Sequence, residues 1–71
     1  TKITYSIAKA DKVNLAIDDL LGREVVVLVN EYQNGGSYSV NFNAAELSSG
    51  VYFYQLSSGS RVMNKKMLLL N

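Results

Sequence analysis

The sequence predicts an all-β fold, a small antiparallel sandwich of about six to seven short strands. Three observations predict it. Apolar and polar residues alternate over three separate stretches, the period of a strand with one buried and one wet face. Turn signals recur every roughly 8–12 residues, the spacing of a sandwich. The five consecutive apolar residues from Val25 to Val29 are mostly β-branched, which favours strand over helix.

The first strand is KITYSI, residues 2–7, with Ile3, Tyr5 and Ile7 on one face and Lys2, Thr4 and Ser6 on the other. KVNLAID, residues 12–18, repeats the pattern with Val13, Leu15 and Ile17. The link AKAD, residues 8–11, is short enough to predict a hairpin between them. Gly22, in LLGRE, falls where a turn calls for positive φ. EVVVLVN, residues 24–30, has no polar face and reads as a strand covered on both sides or set at an interface. Arg23, Glu24 and Glu31 flank it as charged gatekeepers. Asn34-Gly35-Gly36 is a strong turn signal. SYSVNF, residues 37–42, then alternates with Tyr38, Val40 and Phe42 inward.

NAAELSSG, residues 43–50, predicts a corner. Asn43 caps a single helical turn, with Glu46 three residues later reaching back to it. Leu47 plugs the core from that turn, and Gly50 opens the next strand. That strand, residues 51–57, turns Tyr52, Tyr54 and Leu56 inward and Val51, Phe53 and Gln55 outward. A buried tyrosine needs a partner for its hydroxyl. Tyr52 stands just after the corner, so its hydroxyl is expected to bond a loop backbone group, as the tyrosine corner does in Ig-like sandwiches. SSGS, residues 57–60, reverses the chain into a last strand, 61–70. Its alternation breaks around Lys65-Lys66, which predicts a bulge.

Seventy-one residues make one domain. There is no Cys and no His, so disulfides and the usual zinc sites are excluded and hydrophobic burial must hold the fold. The chain starts at Thr1 rather than Met and reads as a fragment of a larger protein. Charge is nearly balanced overall but unevenly spread: net +2 over residues 1–12, −4 over 13–60 and +3 over 61–71. Such a distribution lacks the dense basic face of a nucleic-acid binder. Charges on the basic last strand suit a solvated edge protected from aggregation. No apolar run reaches the roughly 18 residues of a membrane-spanning helix.

Candidate chemistry is sparse. Asp18-Asp19 is the one adjacent carboxylate pair, but neighbours on a strand point to opposite faces, so it reads as a polar strand end entering a turn. Too few oxygen ligands surround it for calcium. Gly35-Gly36 is no phosphate loop, because no helix or Lys follows in place. Five tyrosines raise a sugar-stacking platform, but Tyr5, Tyr38 and Tyr52 fall on inward faces and only Tyr32, in a turn, reads as exposed. No catalytic residue, metal site or cofactor is expected.

Taken in order, TKITYSI, VNLAIDDLLGREVVVLVN, GGSYSVNFNAAELSSGVYFYQL and NKKMLLL closely resemble the C-terminal sorting domain of the type IX secretion system, a set of Ig-like modules related to the Ig-like domain of the flagellar hook-cap protein. The most specific pieces are Leu21-Gly22-Arg23-Glu24-Val25, Gly36-x-Tyr38, Leu47-x-x-Gly50-Val51-Tyr52 and the basic-then-apolar end from Lys65. The resemblance implies an Ig-like β-sandwich that ends a larger secreted protein of Bacteroidetes-type bacteria. Its cargo lies N-terminal to it and transits the periplasm. The domain is then an address label, not an enzyme. Its partners are the outer-membrane secretion machinery and a sortase-like protease, and the cargo reaches the cell surface or the medium. By that resemblance Gly36, Tyr38, Lys65 and Lys66 match the signal positions; Gly22, Gly50, Tyr52, Tyr54 and Leu56 read as structural from their turns and inward faces. Residues 25–29 and the C-terminal edge strand are the two candidates for self-association. Family members often begin with an Asn-Pro-rich stretch just before the first strand; this chain has no Pro, so either that stretch is trimmed from this fragment or this member lacks it, and the cleavage site is expected upstream. Two other readings stand beside this one: a structural or adhesive Ig-like module of a surface protein, and a carbohydrate-binding module.

Overall fold

The structure, a computed structural model, describes all residues except Thr1, Ala44, Glu46 and Asn71. It forms six strands: β1 (Lys2–Ile7), β2 (Asp11–Asp18), β3 (Glu24–Gln33), β4 (Gly36–Asn41), β5 (Gly50–Ser58) and β6 (Arg61–Leu69). They make two antiparallel sheets, a small one of order β1-β4 and a large one of order β3-β2-β5-β6. This is a small Ig-like β-sandwich, as the alternation predicts.

The core lies between the sheets. β2 supplies Val13, Leu15 and Ile17, all fully buried, because it is an inner strand flanked by β3 and β5. Ile3 and Ile7 of β1, Phe42 just after β4, and Val29, Leu56 and Leu69 of the large sheet complete the buried cluster. Burying such aliphatic side chains stabilises the fold by about 1.5–3 kcal/mol each. The outer face of the small sheet is a row of hydroxyls: Thr4 opposite Ser39 and Ser6 opposite Ser37.

The hairpin expected at residues 8–11 does not form. β1 pairs with β4, and the link carries the chain from one sheet to the other. The reason is in the side chains. Ile3, Tyr5 and Ile7 form one apolar face and Val13, Leu15 and Ile17 form another, and each is covered by facing the other across the core. The link from β3 to β4 crosses between sheets in the same way. The two crossings touch at Gly35, where a Cβ would stand 3.0 Å from the Ala8 carbonyl oxygen and 3.2 Å from Lys9 Cα.

β3 is an edge strand, so its apolar run is not covered on both sides within the chain. Val25 and Val27 are 40% and 44% exposed on the outer face. Two register shifts against β2, between Leu15 and Ala16 and between Ile17 and Asp18, reset the alternation. Thus Val26, Leu28 and Val29 all pack toward the core although they do not follow a period of two.

β5 and β6 form a hairpin closed by Ser58 opposite Arg61, with Gly59 at φ +61 in its two-residue turn. No bulge occurs at Lys65-Lys66: the register runs unbroken from Ser58–Arg61 to Gly50–Leu69. Met63, Lys65, Met67 and Leu69 therefore share the inner face with Leu56, Tyr54, Tyr52 and Gly50. The pattern looked broken in sequence because Lys65 sits on the inner face where the two-stranded sheet does not cover it.

Candidate functional site

β6 carries Lys65 and Lys66, two of the four candidate signal residues, and the fold makes it an edge. Among the described residues it pairs only with β5, so one row of its main-chain donors and acceptors faces outward. An open edge of this kind is what another strand adds to. Its side chains from Arg61 to Lys66 and at Leu68 are exposed, whereas Leu69 is 3% exposed and ties its end into the core.

Lys65 and Lys66 do not form one patch. Lys65 lies opposite Tyr54 on the inner face, and Lys66 lies opposite Phe53 on the outer face. Gly36 and Tyr38 are on β4, in the other sheet. There Gly36 faces Ile7, and Tyr38 stacks on Tyr5 with ring centroids 5.4 Å apart and planes 19° apart. The Tyr5 hydroxyl donates to Gln33 Oε1 at 2.6 Å, and the Tyr38 hydroxyl donates to the Asn34 carbonyl. Burial pushes the Tyr5 phenol above its ordinary pKa. The two rings thus fasten the β3–β4 crossing. These positions and the lysines of β6 thus stand on different sheets, Gly36 and Tyr38 on β4 and Lys65 and Lys66 on β6.

The support of β6 is the corner before β5. The Tyr52 hydroxyl donates to the Ser48 carbonyl at 2.9 Å, the backbone partner expected of it. The Ala45 N–H donates to Asn43 Oδ1 at 3.0 Å, so Asn43 caps the turn; Glu46, its expected counterpart, lies outside the described residues. Leu47 is half-buried against the core. Tyr52 and Tyr54 are half-buried against the same core, and Leu56 is buried.

The remaining turn holds a residue the sequence reading missed. Asp19 accepts from the N–H groups of Leu21 at 2.9 Å and Arg23 at 3.0 Å, and its other oxygen accepts from Arg23 Nε at 2.9 Å. These bonds, the Arg23 backbone N–H first, hold its carboxyl below the ordinary value. Gly22 has φ +80, as the turn requires. An Asp three residues before a turn glycine was the available signal, since Asp side chains readily accept from nearby backbone N–H groups.

Among the described residues no three carboxylates, histidines or cysteines gather as a metal site. Tyr32 is 67% exposed, but the other tyrosines are half-buried, so no planar aromatic row forms. No described helix is long and apolar enough to cross a membrane.

No curated protein and no solved structure matches the chain. The model of one family does match, over residues 1–70, which takes in all six strands, the Asn43 corner and the Lys65-Lys66 pair. The chain belongs to the family of the secretion system C-terminal sorting domain.

Proposed function

We propose that the chain is a non-catalytic C-terminal address label that directs a larger cargo protein across the outer membrane through type IX secretion, and that β6 is the part the machinery reads. One observation carries this reading: β6 is anchored by Leu69 and by pairing to β5, yet it presents an open edge and mostly exposed side chains. Main-chain pairing to that edge supplies affinity, and the side chains along it supply specificity. Lys65 and Lys66, pointing to opposite faces, would grip a receptor strand from both sides. The cargo lies N-terminal, a sortase-like protease acts on the junction, and the product is secreted or held at the cell surface. Gly36 and Tyr38 contribute by holding the β3–β4 crossing, and Gly22, Gly50, Tyr52, Tyr54 and Leu56 by holding the sandwich.

A reporter cargo fused ahead of the chain tests this. Lys65→Glu and Lys66→Glu, singly and together, leave the buried core untouched and should each cut export, the pair most. Thermal melting of each variant confirms that it folds. Unchanged export from a folded double variant would refute the reading. Deleting residues 65–71 is a poorer test, because it removes buried Leu69 and costs about 2–5 kcal/mol.

A second reading, a structural or adhesive Ig-like module akin to the hook-cap domain, draws on the exposed apolar strip of Leu20, Leu21, Val25 and Val27. Self-association through β3 or the β6 edge would favour it, and sedimentation of the isolated chain measures that.

A further inference from the structure

The two sheets are of unequal width, two strands facing four. Beside β1 the large sheet is left uncovered, and a groove of about 620 Å³ opens there. Its wall is β1, from Thr4 to Ile7, with Ala8 and Lys9 beyond. Its floor is the inner face of β5 and β6, with Tyr54, Leu56, Arg61, Met63 and Lys65. Among the described residues β1 pairs only with β4, so the edge of β1 over this groove has no strand partner.

The floor has a pattern. Arg61, Met63 and Lys65 are two residues apart on one strand in unbroken register, so they point to one face as basic, apolar, basic. Arg61 and Lys65 are spaced by about 13 Å at roughly 3.3 Å per residue. Met63 is 50% exposed, an apolar side chain on an inner face. Lys9 adds a third cation at the groove's end. Among the described residues none of the three cations is in a salt bridge. Among the described residues Asp11 is the one carboxylate lining the groove, and its Oδ1 already accepts from the Lys12 N–H at 2.8 Å.

We propose that this groove binds an extended acidic strand of a partner protein, which pairs with the free edge of β1 and lies over β5 and β6. The strand carries carboxylates four residues apart with an apolar residue midway, so that they meet Arg61 and Lys65 while the apolar side chain covers Met63. Main-chain bonds to β1 give it affinity and the charge pattern gives it specificity. A second copy paired two-fold through its own β1 edge does not fit. The floor projects beyond β1, so a two-fold pairing of β1 edges would drive one basic β6 against the other. This surface shares Lys65 with the β6 site but uses the free edge of β1 rather than the outer main-chain edge of β6, and the inference holds whether or not that edge is read during secretion.

The test uses the chain and an end-blocked peptide, Thr-Glu-Thr-Val-Thr-Glu-Thr. Amide NMR follows binding and hydrogen exchange. The acidic peptide should bind, weaken as salt rises, and slow exchange at alternate amides of β1. A peptide with Lys in place of both Glu should bind at least tenfold more weakly. Arg61→Glu with Lys65→Glu should reverse that preference, while Lys66→Glu, on the opposite face, should leave it unchanged. Absence of binding at millimolar peptide, equal affinity for both peptides, an equal effect of Lys66→Glu, or binding without protection in β1 would each overturn the proposal. So would protection of β1 that grows with protein concentration alone, since the groove would then hold a second copy.

Discussion

Replacing Gly59 with Ala should destabilise the domain by about 1.5–3 kcal/mol, from two separable sources. Gly59 has φ +61, a left-handed conformation that costs an L-residue about 1–2 kcal/mol. A Cβ there would also stand 2.2 Å from Asp11 Oδ2, far inside contact distance. The carboxylate must swing away, and it then loses its bond with the Lys12 N–H, worth about 0.5–1 kcal/mol at an exposed site. For a domain of this size the total lowers Tm by about 6–24 °C. Differential scanning calorimetry measures it, and a double-mutant cycle separates the sources. With Asp11→Ala in place, Gly59→Ala should cost only the backbone part, so the double variant is about 0.5–1 kcal/mol more stable than additivity requires. A single-variant loss under about 0.5 kcal/mol, or strict additivity, would refute the packing of Asp11 over the β5–β6 turn.

Tyr52→Phe should cost about 0.5–1.5 kcal/mol by removing the bond to the Ser48 carbonyl, read from urea unfolding; no loss would mean the corner does not depend on it. Leu15→Ala removes a side chain with no exposed surface and should cost about 2–5 kcal/mol. Against a total of about 4–11 kcal/mol for a chain this long, that brings the domain close to unfolding, and a loss below 1 kcal/mol would contradict a packed β2. Asp19 has a folded-state pKa below its ordinary 3.8, so its contribution to stability is complete above that pH and is lost as pH falls through the lower folded value. Carboxyl-carbon NMR should place its midpoint below 3.8, and a midpoint at or above that value would remove Asp19 as the organiser of its turn.

Alternation told which side of each strand is buried, and it told this well for KITYSI, KVNLAID and SYSVNF. It could not tell which strands share a sheet. Ile3 and Val13 face the core equally well from one layer or from two, and only the need to cover both apolar faces separates the cases. Alternation also fails where register slips. The run Val25–Val29 reads as uniformly apolar, because two bulges turn Val26, Leu28 and Val29 inward on an edge strand. Tyr52 was legible because its place after a corner specifies both its burial and its hydroxyl's partner. Asp19 was overlooked as half of a carboxylate pair, although its place three residues before Gly22 marks a side chain that accepts turn N–H groups. At β6 the edge position and the basic end agree with the reading, but the separation of Lys65 from Lys66 needed the register with β5.

The small sheet joins residues 2–7 to residues 36–41, while β2–β3 and β5–β6 are neighbours along the chain. Closing so long a loop costs entropy before any contact rewards it, so β1–β4 should zip up late. Until it does, Val13, Leu15 and Ile17 lack their lid, and the nascent domain is at its most adhesive.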